Sequence, residues 1–221
     1  AVSATTASIE LTGLDAYTYY DVYVKANCTA TDESDWSAAA TFRTSCPDGG
    51  DATLGNGTYT SAYVPVHYNW GNTYCQQIFT AQELTEAGMS AGPIQGISFS
   101  WYYRSSYTKE FTIYIGTTDK DEFNDNSDWI TVTSDPVYGP AEFATSAAQE
   151  NFAFNTPFVW DGASNIVVTT IMNQYGGSGT GGSGITAYAY DAGYNRSLYN
   201  YRDSYAFVVN DPETSGSQHK G

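Results

Sequence analysis

Positive charge is scarce in this chain. Eight Lys and Arg stand against 24 Asp and Glu in 221 residues, for a formal net charge of −16 and a pI near 4.1. Such a field repels a phosphate backbone, so nucleic acid and anionic membrane are excluded as natural partners. There is no run of about 18 apolar residues and hence no membrane-inserting helix, and the first residues lack the basic-then-apolar order of a signal peptide. Only two histidines occur, His67 and His219, and no CxxC, so cysteine–histidine metal binding has no framework. No GxSxG elbow is present, and GGSGTGGSG (176–184) lacks the Lys and following helix of a phosphate loop. Leu and Lys are few and helical periodicity is nearly absent, which excludes an all-α chain.

Aromatic and small residues take their place. Twenty Tyr, ten Phe, five Trp and 21 Gly, with abundant Thr, Ser and Asn, are residues of strands and of the turns between them. Strands are expected at 7–12, 19–27 and 39–44, and then at 58–66, 74–79, 94–104, 110–115, 129–133, 151–159, 165–172, 185–190, 197–202 and 205–209. One short helix is expected at TAQELTEAG, with Thr80 as cap, Glu83 three residues on and Gly88 as the stop. Many short strands with one turn of helix imply an all-β protein, a jelly-roll-type β-sandwich.

The opening stretch has its own signature. In 19–27, Tyr20, Val22, Val24 and Ala26 alternate with Asp21, Tyr23 and Lys25, and Leu14 stands six residues before Tyr20, the spacing of a tyrosine corner. LTGLDAYTYYDVYVKA followed by DWSAAATFRT resembles the last strands of a fibronectin type III module, in a version with a Cys after each of two strands found in secreted and surface proteins of Bacteroidota. The resemblance covers residues 1–46, a partial module without its first half. CPDGGD then reads as a Pro/Gly boundary, giving a linker at 47–51, a jelly-roll-like sandwich at 52–210 and a polar tail at 211–221. Within 52–210, QQIFTAQEL, FTIYIGTTDK, NTPFVWDGASNIVV and RSLYNYRD are similar to a β-sandwich module that follows such repeats in the same proteins. The resemblance implies a multi-domain, secreted or surface-attached, adhesin-like parent, with neighbouring domains or further copies as partners.

Three cysteines leave at least one unpaired. Cys28 with Cys46 would close a loop of about 18 residues and contribute about 3 kcal/mol; Cys46 with Cys75, or free thiols, are the alternatives. A Cys75–His67 catalytic pair reads more simply as a strand cysteine near an incidental histidine. No pair among the 24 acids lies in a glycosidase signature, so the reading is non-catalytic, with a hydrolase as the minor alternative. DKDEFNDNSD offers Asp119, Asp121, Asp125 and Asp128 as a calcium set, but lacks the EF-hand glycine and reads first as a solvated turn. Asp161 with Asn165 is a second oxygen pair, in a DG turn. No cofactor is otherwise implied.

The aromatic excess points to carbohydrate. Flat rings stack on the apolar faces of pyranoses while amides and Arg fix the hydroxyls, and neutral glycans tolerate an acidic protein. Alternation in IQGISFSWYYR sets Ile97, Phe99, Trp101 and Tyr103 on one face and Tyr102 with Arg104 on the other; Tyr114 likewise opposes Phe111, Ile113 and Ile115. Tyr102, Arg104 and Tyr114 are then expected to share a platform on neighbouring strands, with Trp70, Asn173, Tyr175 and Tyr194 as loop-borne additions. A spacer or stalk that binds nothing is the competing reading, in which cross-strand Tyr pairs serve the sheet alone.

Overall fold

The computed structural model describes residues 8–14, 19–29, 32–43, 51–104, 108–174, 185–212 and 217–219. The chain divides into two compact units, Ala1–Asp51 and Ala52–Gly221.

In the first unit, β1 (Tyr19–Val22) and β4 (Ala40–Arg43) pair antiparallel, and β2 (Asn27–Thr29) pairs with β3 (Asp32–Glu33). Tyr20 lies opposite Phe42, their rings stacked at 6.0 Å. Val24 and Ala26 accept backbone bonds from Ser37 and Ser34 instead of continuing a ladder. Residues 8–12 form no strand, and of the set Tyr20, Val22, Val24 and Ala26, expected inward from the alternation, Val24 and Ala26 are exposed. Among the described residues of this unit no side chain is fully buried. The corner turn at 15–18 and the Cys28–Cys46 pairing lie outside the described residues.

The second unit carries β5 (Tyr59–Ser61), β6 (Asn72–Phe79), α1 (Ala81–Glu86), β7 (Gly92–Tyr103), β8 (Lys109–Thr118), β9 (Tyr138–Phe143), β10 (Gln149–Trp160), β11 (Asn165–Gln174), β12 (Thr186–Ala189), β13 (Ser197–Arg202) and β14 (Ser217–His219). They form two antiparallel sheets, β10-β7-β12-β5 and β14-β13-β6-β11-β8-β9. One core joins them. Phe111, Ile113 and Ile115 of β8 and Ile166, Val168 and Met172 of β11 meet Trp101 of β7, Phe152 and Trp160 of β10 and Ala187 of β12. The result is a β-sandwich, as the alternating apolar pattern requires of sheets with one face inward.

The far face of the six-stranded sheet is also covered, by irregular chain. Trp129 and Ile130 lie on Ile78 and Leu198, and Phe207 lies on Tyr74 and Ile171. Residues 129–133 and 205–209 are therefore not strands, although their apolar content matches one. Asn210 binds both the N–H and the C=O of Val132, a side chain doing the work of a ladder. At α1 the capping box is formed by Thr80 and Glu83, and the chain leaves through Gly88 at φ 90°. β9 and β14 carry no clear strand pattern; Pro140 interrupts the first, and the second falls in the stretch read as a polar tail.

Candidate functional site

The outer face of the four-stranded sheet is built by register. Gln149 lies opposite Ser100, Asn151 opposite Ser98 and Ala153 opposite Gly96, with Phe152 and Ile97 turned into the core between them. Thr186 lies opposite Tyr103, yet Ala187 lies opposite Trp101, so β7 contributes one residue too many. That residue is Tyr102, and the bulge breaks the alternation. Tyr103, expected beside Trp101 in the core, is turned outward instead. Tyr102, Tyr103 and Tyr188 are 51%, 60% and 47% exposed, and Tyr102 meets the other two rings edge to face at 4.6 and 5.7 Å. Thr60 stands opposite Tyr188 on β5. The face thus carries three rings beside Ser98, Ser100, Gln149, Asn151, Thr186 and Thr60, with Arg104 following Tyr103 at the end of β7.

A second group of rings lies beyond β5, on the inward side of β13. Tyr199 and Tyr201 point the same way with planes 18° apart. Tyr63 stacks on Tyr199 at 5.1 Å and Trp70 lies over Tyr201 at 4.5 Å. His67 meets Tyr63 and Tyr201 edge to face at 5.0 and 4.8 Å. Lys109, itself buried, donates to the Trp70 carbonyl at 3.3 Å and braces the turn that carries the indole.

Burial lowers the pKa of His67. Folding therefore favours the neutral imidazole, and as pH falls through 6.5 the unfolded chain takes up the proton first. Stability is full above that value and declines below it. The melting temperature is expected to drop between pH 7 and pH 5 in a thermal-shift titration, and His67→Gln to flatten that drop. An identical slope in the variant would refute the assignment. The carboxylates act in a separate, lower window, because Asp125, Asp128, Glu150 and Asp161 all have lowered pKa values.

The other expected residues are dispersed. Tyr114 cannot join Tyr102 and Arg104, because β8 and β7 belong to opposite sheets; it is half-buried with Trp129 under the covering loop. Arg104 is exposed and donates to the Ser146 carbonyl at 3.3 Å. Asn173 exchanges both amide bonds with Phe207 and has a bracing role. Tyr194 lies 5.5 Å from the Arg196 guanidinium, which faces Glu83 at 3.6 Å. Tyr175 lies outside the described residues.

The four aspartates do not converge. Burial pushes Asp128 up, but bonds from Asn124 and the Lys120 ammonium, 2.7 Å away, outweigh it and leave the pKa lowered. Asp125 is lowered by the Ser127 hydroxyl and N–H, and Asp119 and Asp121 face solvent. Asp161 is lowered to about 2 by the Ser164 hydroxyl and the N–H groups of its own turn, while Asn165 binds Ala81 and Lys120 backbone. Among the described residues no three His, Cys, Asp or Glu are placed to share a metal ion. Cys75 is free and buried; burial pushes its thiol far up, and it bonds to Thr170. Among the described residues no helix is long and apolar enough to cross a membrane.

Sequence reasoning missed Tyr63, Tyr103, Tyr188, Tyr199 and Tyr201. For three of them the signal was present: Tyr199 and Tyr201 alternate with buried Leu198, and Tyr188 alternates with buried Ala187. No family model, curated protein or solved structure matches the chain.

Proposed function

We propose that the second unit is a non-catalytic carbohydrate-binding module, and that the chain serves adhesion in a secreted or surface-attached protein. The jelly-roll class of this unit and the fibronectin-like character of the first are parts of the same reading. One observation carries it: the bulge at Tyr102 delivers two consecutive rings to a sheet face lined by Ser, Thr, Asn and Gln. Sheet stability does not require that, since a regular strand would have buried Tyr103. Exposed rings beside hydroxyls and amides suit the alternating apolar and polar surfaces of a neutral sugar chain.

The test is affinity electrophoresis of the 221-residue chain through gels containing soluble β-glucan, xylan or mannan. Tyr102→Ala with Tyr188→Ala is expected to weaken retention about 10-fold, roughly 1.4 kcal/mol, with an unchanged melting temperature. Absence of retention on every polysaccharide by the unaltered chain would instead favour the spacer.

A further inference from the structure

We infer that the rings beyond β5 form a second site for a neutral glycan, so that the second unit holds sugar chains at two places. The inference shares its ligand class with the sheet-face reading but rests on different residues.

Tyr63–Tyr199 and Trp70–Tyr201 are two ring pairs with interplanar angles of 23° and 30°, set side by side along β13. A purely structural plug between β5 and β13 would bury its rings. Here Tyr63 and Tyr201 remain 41% and 36% exposed, which leaves ring surface facing solvent along one flank.

Polar groups beside the rings are not consumed by the fold. His67 is only 8% exposed, and its Nδ1 has no hydrogen-bond partner. Thr73, 1% exposed and cross-strand from Tyr201, holds an Oγ1 that is likewise unpartnered. Unmatched buried polar atoms are rare in folded proteins and call for a partner, a bound water or another molecule. A neutral imidazole nitrogen accepts and a threonine hydroxyl donates or accepts, the complement of a sugar hydroxyl.

Charge narrows the ligand further. The buried ammonium of Lys109 behind Trp70 and the Asp203 carboxylate beside it offset each other, so no net charge at the rings recruits a cation. A polyanion would meet the net charge of −16. A neutral pyranose chain stacking on the exposed rings conflicts with neither. Two sites on one unit can grip one chain twice or bridge two chains, which raises avidity without new contacts.

The test adds soluble β-glucan, xylan or mannan to the full chain and reads tryptophan emission, gel retention and precipitation of the polysaccharide. The unaltered chain is expected to precipitate one of them and to show a shift in tryptophan emission that Trp70→Phe removes. Tyr63→Ala with Tyr201→Ala should abolish precipitation and weaken retention about 10-fold; Tyr63→Ala alone, at an exposed ring, supplies a variant whose folding is safe. The sheet-face variant should also lose precipitation but keep the Trp70 signal. Unchanged retention and precipitation in the folded Tyr63 variants would overturn the second site while leaving the sheet-face reading intact. Loss of all binding in the sheet-face variant, with no Trp70 signal in the unaltered chain, would do the same. Binding of tetramethylammonium at the Trp70 signal in place of any polysaccharide would overturn the ligand class.

Discussion

Replacing Phe111 by alanine is expected to lower the unfolding free energy of the second unit by about 3–5 kcal/mol, the range for deleting a fully enclosed phenylalanine. Phe111 is 0% exposed, and its ring lies 5.1 Å from both Phe143 and Phe152. Phe143 belongs to β9 in its own sheet, whereas Phe152 belongs to β10 in the other, so this ring is one of the ties between the two layers. Met172 stands opposite it on β11 and is fully buried as well, leaving little freedom to fill the void. Urea unfolding followed by tryptophan fluorescence should show the midpoint falling with an unchanged slope. A loss under about 1 kcal/mol would mean that the two sheets close over the gap, contrary to a tightly packed core.

The place of Phe111 was legible from local sequence, and the contrast with what was not is instructive. Phe111, Ile113 and Ile115 alternate with Thr112 and Tyr114, and period two alone assigns the inward set. The helix cap at Thr80 and Glu83 is equally local. The candidate platform failed on long-range grounds. Tyr102 and Tyr114 lie in successive strands, and successive strands commonly pair; here the chain crosses from one sheet to the other between them. The bulge at Tyr102 is a property of two strands together, since an extra residue exists only relative to the register of β12. Likewise Trp129, Ile130 and Phe207 carry the apolarity of a strand because they are buried, and burial does not distinguish a strand from an irregular segment lying on one.

Gln76 shows how that irregular cover is held, and its removal is the second large effect expected. It lies in YCQQIF, where a polar residue would ordinarily face water, yet it is 0% exposed. Its amide does what a neighbouring strand would do. Oε1 accepts from Ile130 N–H at 2.8 Å, while Nε2 donates to Ile130 C=O at 2.7 Å and to Thr169 Oγ1 at 3.2 Å. Gln76→Leu preserves volume but strands both backbone groups of Ile130. At about 1–3 kcal/mol for each unsatisfied buried group, a loss of about 2–6 kcal/mol is expected, with faster amide exchange across 124–132. Gln76→Glu separates bonding from shape. At pH 7 its carboxylate still accepts from Ile130 N–H but opposes Ile130 C=O, and burial raises its pKa. On protonation it regains a donor, so its deficit relative to the unaltered chain, measured at each pH, should shrink from pH 7 to pH 5. Unchanged stability and unchanged amide exchange in Gln76→Leu would show that the covering loop is held by Trp129 and Ile130 packing alone, and that the amide bonds of Gln76 contribute nothing to its docking.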